Sequence, residues 1–205
     1  MKKLVLAAVL ALPALASAQS TWDFDPAHSH ASFTVRHMGI SNVRGEFQKM
    51  TGKLVLDEKD VTKSTVEATI ETASVNTRID KRDGHLKSPD FFDVAKYPTI
   101  TFKSTKVEKA GEGKLKVTGD LTMKGVTKPV VLDVTGPGAP VKNWAGKELR
   151  GVEATATINR KDWGVNWSNM VEGVAVVADE VKVELEAELV KADAAAATPA
   201  TGAKK

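Results

Sequence analysis

The chain has 205 residues, a formal net charge of +3, no cysteine and 42% hydrophobic side chains. That length fits one domain with a good core. The missing cysteines exclude disulfides, thiolate metal ligands, a cysteine nucleophile and a lipid-anchoring cysteine behind a leader.

Taken in order, the chain opens with Lys2-Lys3, an apolar run from Leu4 to Leu12, and Ala16-Ser17-Ala18. This pattern predicts a secretory signal peptide over 1–18, with Gln19 as the first mature residue and a periplasmic or secreted location. Pro13 interrupts the run and makes it too short for a membrane anchor, so no stable insertion is expected once it is removed. Removing Lys2 and Lys3 takes the formal charge from +3 to +1, which gives no electrostatic case for nucleic acid.

From there the pattern has period two. Trp22 to Phe24 reads as a short strand stopped by Asp25-Pro26. Phe33, Val35 and His37 share one face of a second strand, with Ser32, Thr34 and Arg36 on the other. A long strand follows from Val43 to Leu56. Its apolar parity slips, which predicts a bulge near Met50-Thr51-Gly52. Val66, Ala68 and Ile70 alternate on the next strand.

Between Ser74 and Pro98 the alternation stops. Thr77 and Asp80 fit a capping box with Thr77 as N-cap, and Ser88-Pro89-Asp90 fits the start of a second short helix. Tyr97-Pro98 ends it. Short helices are therefore expected within 77–95, carrying the Phe91-Phe92 pair.

Strands then resume at Ile100 and Phe102, and at Leu115, Val117, Gly119, Leu121 and Met123. Lys124-Gly125 is a hairpin signal, leading to Val130, Leu132 and Val134. Gly136-Pro137-Gly138 opens an irregular loop. Val152 to Ile158 form another strand, Trp163 and Trp167 lie in the loop after it, and Val181 to Leu189 alternate most clearly of all. Residues 191–205 hold no large apolar side chain and read as a mobile tail. Eight or nine strands with short turns favour an antiparallel barrel or sandwich in one domain, 19–190.

Several of these segments together resemble the YceI-like family. They are Asn76-Thr77, Arg82-Asp83, His85-Leu86, Asp90-Phe91-Phe92-Asp93 and Tyr97-Pro98 before Ile100-Thr101-Phe102, supported by Asp25-Pro26-Ala27-His28-Ser29 and Arg160-Lys161-Asp162-Trp163-Gly164. The resemblance implies an all-β fold, a single antiparallel eight-stranded lipocalin-like barrel. It also implies a long apolar ligand, an isoprenoid, polyprenyl or quinone-type lipid, with fatty acids or fatty amides as the alternative. Members of that family are often dimers, so a homodimer is an expectation from resemblance, although no residue marks an interface.

Alternation selects the candidate lining of such a lumen: Phe33, Val35, Phe47, Ile70, Ile100, Phe102, Leu121, Met123 and Leu132, with Phe91, Phe92, Trp163 and Trp167 nearer an end. The small inward residues Gly45, Ala68, Gly119, Ala154, Ala156 and Ala187 either leave room for a guest or taper a solid barrel. His37, Arg78 and Arg82 are candidates for a polar head.

His28 and His30 could begin a metal site, but turn capping explains them as well, and no metal or cofactor is expected beyond the lipid. With no nucleophile elbow, zinc motif or phosphate loop, the reading is a binding protein. The alternative is an enzyme acting on a small amphiphile through His28, His30 or His85.

Overall fold

The computed structural model describes residues 19–193. The expected signal peptide and residues 194–205 of the expected tail lie outside the described residues. Lys191, read as the first tail residue, instead ends the last strand, where it faces Trp22.

The strands are β1 (Gln19–Phe24), β2 (His30–His37), β3 (Ser41–Phe47), β4 (Met50–Asp57), β5 (Thr65–Glu71) and β6 (Val75–Asn76). They continue with β7 (Thr99–Gly111), β8 (Lys114–Met123), β9 (Val126–Thr135), β10 (Val141–Lys142), β11 (Glu148–Asn159), β12 (Met170–Val171), β13 (Val174–Ala175) and β14 (Val177–Lys191). All but the β12–β13 hairpin form one antiparallel sheet, which a β11–β14 pairing closes into a barrel.

Eight staves make the ring because three are each built from two strands. β1 and β2 run along successive stretches of β14. β4 pairs with β1 and β3 with β2, so they too are halves of one stave. β5 and β6 pair with β4 and β3 in turn. The long strand expected from Val43 to Leu56 is thus two strands separated at Gln48-Lys49, just before the expected bulge. Phe47 and Met50 are both buried across the break, which accounts for the parity slip.

The β1–β2 break is a turn tied by its own side chains. Asp25 Oδ1 accepts the Ala27 amide at 2.8 Å, and the other carboxylate oxygen meets His28 Nδ1 at 3.0 Å. Buried Ser29 donates to the Glu188 carbonyl and accepts the Glu188 amide, at 3.3 and 3.2 Å. Its hydroxyl therefore rivets the kink to β14 and does not serve a neighbouring imidazole. Asp25, His28 and Glu188 gather their polar atoms within 4.8 Å. His30 points instead to Glu186, 3.6 Å away.

The Asp25 hydrogen bond raises the pKa of His28, and the same bond lowers that of Asp25. The His28 contribution to stability is present below its unfolded pKa and is lost as pH rises through the raised folded value. The Tm gap between the parent and His28→Gln is therefore expected to be wider at pH 5.5 than at pH 8, measured by circular dichroism. A gap that stays constant or widens with pH contradicts this.

The insert between β6 and β7 departs from its expected capping. The helix α1 is Asp80–Lys87, with Ile79 as N-cap. Thr77 cannot open it because Arg78 adopts φ +66°, outside the right-handed helical region. Thr77 instead binds Asp83 through its amide and hydroxyl, and accepts Arg82 Nε at 2.7 Å. The second expected helix is a run of turns. Ser88 caps α1 by donating to the His85 carbonyl, and Asp93 at φ +49° blocks helix propagation. The Lys124-Gly125 hairpin has both residues at positive φ, 50° and 76°, as a two-residue type I′ turn requires.

Buried apolar residues form three clusters. One, around Phe47, Met50, Phe91, Ile100 and Trp163, lies at the end that carries α1, here called the upper end. A second centres on Val117, Leu132 and Ala154. The third joins Trp22, Leu54, Leu56 and Leu189 at the lower end. Half-buried Phe24, Leu185 and Val66 bridge these clusters, so one apolar lining runs the length of the barrel.

Candidate functional site

The barrel encloses a cavity of ≈ 430 Å³, within the range of small-molecule sites. Strand alternation builds its wall, since every second residue of a stave faces in. Inward residues such as Phe102, Leu121, Val152, Ala156, Ile158, Val183 and Leu185 are only half-buried, although they point away from bulk solvent. They are reachable from inside.

Phe33, Val35, Phe47, Ile70, Phe91, Phe92, Ile100, Phe102, Leu121, Met123, Leu132 and Trp167 all front this cavity, as do Ala68, Ala154, Ala156 and Ala187. Trp163 does not. It is buried in the wall, where its indole N–H donates to the Leu121 carbonyl at 3.0 Å. Of the three polar candidates, His37 and Arg82 front the cavity, whereas Arg78 is exposed outside it.

Gly45 and Gly119 leave no free volume, contrary to the simple reading of small inward residues. A Cβ on Gly45 would stand 2.5 Å from Phe33 Cζ, and one on Gly119 would stand 2.4 Å from Phe102 Cζ. Each glycine is the bed on which a phenyl ring lies flat against the wall, so the room comes from the alanines. Gly119→Ala would also meet the Lys103 carbonyl at 2.6 Å. It is expected to destabilise by about 1–3 kcal/mol, as overpacking does, and to turn Phe102 into the lumen. A thermal melt within about 1 °C of the parent contradicts that.

The two ends differ. At the lower end Trp22, 1% exposed, packs against Leu54, Leu56 and Leu189. The Arg150 guanidinium lies 4.8 Å from its ring and pairs with Glu58 at 3.1 Å. At the upper end the lining turns polar, with the cations Arg36 and Arg82 beside His37 and His85. His85 Nε2 meets Asp90 at 2.9 Å, and its ring packs edge-on against Phe91 and Trp167, with centroids at 5.0 and 5.2 Å. Phe92 packs edge-on against Phe47 on the opposite side of the pair. The Phe91-Phe92 pair thus splits, one ring toward the Trp167 loop and the other toward β3.

That loop is held by Arg160, 5% exposed. Its guanidinium donates to the carbonyls of Val165 at 2.6 Å, Trp167 at 2.8 Å and Ala178 at 2.9 Å, and to Asp179 at 3.1 Å. Burial lowers its pKa and the Asp179 carboxylate opposes that shift. Arg160 and Asp162, two residues apart, pair with different partners, Asp179 and Lys128. Asn159 caps the 3-10 turn Arg160–Trp163, and Gly164 at φ +71° ends it.

The family model for the YceI-like domain matches residues 22–189, nearly the whole described barrel. The chain belongs to the YceI-like family. A UPF0312 protein of Vibrio cholerae is 38% identical over 161 residues, covering 78% of this chain and 85% of the relative. Protein YceI of Escherichia coli is 42% identical over 143 residues, covering 70% and 74%. Among solved structures, a Campylobacter jejuni YCEI protein superposes with TM-score 0.66 at 30% identity, covering 94% of this chain and 100% of that one. BcnA of Burkholderia cenocepacia gives TM-score 0.69 at 26% identity, covering 80% and 98%.

In this YceI-like barrel the family's motifs have physical tasks. Asp25 to Ser29 hold a broken stave together, Arg82-Asp83 lock Thr77, Asp90 to Phe92 wall the upper end, and Arg160 anchors the Trp167 loop. Sequence reasoning missed Arg36 and the Val176-Val177 pair as cavity residues. Arg36 sits on the outward parity of β2 and reaches the opening only because the stave ends there. Val176 lies just before β14 and Val177 opens it, where a register shift before Val181 breaks the alternation.

Proposed function

We propose that this protein is exported and carries one long, flexible apolar chain in its barrel, an isoprenoid-type lipid, without altering it chemically. The observation that carries the reading is the wall: inward apolar side chains left half-accessible around a lumen whose arginines and histidines collect at one end. Burial of ~10 methylenes there contributes about 8 kcal/mol before ordering costs, enough for a stable complex. Phe33, Phe102, Leu121 and Ala156 contact the tail, Phe91, Phe92 and Trp167 close over its outer part, and Arg36, His37 and Arg82 face the polar head. The family resemblance favours an isoprenoid over a fatty acyl chain. Membership of a family known by this domain also favours binding over catalysis.

The test is organic extraction of the purified protein followed by mass spectrometry. Expression in several hosts is expected to return a prenyl-type lipid in near one-to-one ratio. Extracts without lipid from every host defeat the proposal, and fatty acids or amides alone replace the isoprenoid with the alternative. A processed N-terminus at Gln19 in the periplasmic fraction tests the export.

A further inference from the structure

Large apolar side chains are not scattered evenly over the outside of the barrel. Of the eight large apolar side chains exposed among the described residues, Ile40, Ile79, Met170, Val171 and Val174, exposed by 80, 50, 57, 44 and 43%, belong to the upper end, whereas Val131 lies on β9 and Val141 and Trp144 lie at or beside β10. The Met38 amide donates to the Val176 carbonyl at 3.1 Å, which ties the turn bearing Ile40 to the base of the β12–β13 hairpin. Ile79 follows β6, the neighbour of β3, and caps the helix whose Arg82, His85 and Leu86 front the cavity. These aliphatic groups therefore flank the cationic opening of the lumen.

The same rim carries unpaired cations. Along the wall several lysines pair across strands, as Lys49 does with Glu71, Lys103 with Glu67 and Lys116 with Asp133, although Lys109, Lys114 and Lys182 do not. On the rim, Arg44, Arg78 and Lys81 are exposed and enter no ion pair among the described residues. Arg36 binds only the Asn42 side chain. Several rim carboxylates are already engaged: Asp83 by Thr77, Asp90 by His85, and Asp179 by Arg160 and Lys161. Asp80, Asp93, Glu172 and Glu180 have no ion-pair partner among the described residues.

We infer that this rim is the face on which the protein docks to an anionic lipid bilayer, with Ile40, Ile79 and the Met170-Val171 hairpin entering the interface and Arg44, Arg78 and Lys81 meeting acidic head groups. Unpaired cations beside aliphatic side chains are the combination that binds acidic lipid surfaces. Exposed aromatic anchors, which dominate protein–protein hot spots, are missing from these five positions. The inference rests on the lipid-carrier reading, since docking in this pose sets the open end of the lumen against the source of its ligand.

Every strand among the described residues lies between Gln19 and Lys191, so the chain from Gln19 is the sample for a vesicle cosedimentation assay. Vesicles of phosphatidylcholine alone are compared with phosphatidylcholine containing phosphatidylglycerol. Preferential binding to the acidic vesicles is expected. It should weaken by roughly tenfold in the R78E/K81E double variant and fall comparably in the I40D/M170D variant. Trp144, 99% exposed at the lower end, is the control. W144A is expected to bind as the parent does. All five substituted positions are exposed, and unchanged melting curves confirm that the variants fold.

Equal binding to both vesicle types, or loss in W144A with retention in the rim variants, overturns the inference. So does a rim variant that changes oligomeric state in light scattering while vesicle binding stays intact, because the occupant is then a second copy. Lipid extraction is scored separately. An empty lumen with rim-dependent binding defeats the carrier reading alone, and a filled lumen without it defeats the docking alone.

Discussion

Ala156→Trp is expected to yield a folded barrel that no longer retains its lipid. Ala156 faces the lumen from the middle of β11, opposite Val183 of β14. An indole there occupies space that a ligand tail would use. Displacing even ~3 methylenes removes about 2.4 kcal/mol, or roughly 60-fold in affinity. The fold should tolerate the change because the ring enters existing space, unlike a side chain forced into a close-packed core. The check pairs two measurements: lipid per protein after extraction, and Tm. A normal lipid load with a normal Tm places the ligand elsewhere. Thr155→Trp, one residue along on the outer face, should leave the load unchanged.

The second large effect is expected at Arg160. Arg160→Ala strips donors from the carbonyls of Val165, Trp167 and Ala178, all near the upper end where water reaches poorly. Asp179 keeps Lys161 at 2.9 Å, so the loss falls on the carbonyls and the loop they anchor. Breaking such a buried charged network costs about 3–5 kcal/mol, equivalent to roughly 6–20 °C in Tm for a domain of this size. Arg160→Lys should recover little, because an ammonium cannot reproduce the planar fork. A loss below about 1 kcal/mol in urea unfolding would mean that the loop is held by packing of Val165 alone.

The staves were legible in the sequence wherever one face meets water and the other meets the lumen, since that contrast writes itself as alternation. Phe102, Leu121 and Leu132 were found in this way. The Lys124-Gly125 turn was legible because its geometry demands special residues. What could not be read is where local pattern yields to distant contact. Thr77 carries a capping signal, yet Asp83 and Arg82 take its hydrogen bonds. Gly119 looks like spare volume until Phe102, distant in sequence, lies on it. Trp163 and Trp167 look equivalent in a loop, but only a bond to Leu121 of β8 assigns the first to the wall and leaves the second to the lumen.

Closure of the ring is uneven along its length, and this has a consequence for how a guest gets in. β9 and β11 pair only over Thr135–Asp133 and Glu153–Thr155. Above that point the gap is covered by the turn that bears Trp163, tied across by Lys128 and Asp162. On the other side β3 meets β6 over just two residue pairs, and the α1 segment fills the rest. Two shutters of irregular chain therefore hang between firmly laced panels. Traffic through the top would need one of these shutters to give, the first at the cost of its Trp163 and Arg160 bonds, but no ladder of the lower barrel to unzip. Amide exchange should then be quicker at 160–169 and 77–98 than in the middle of β8, because irregular chain opens with fewer ladder bonds to break.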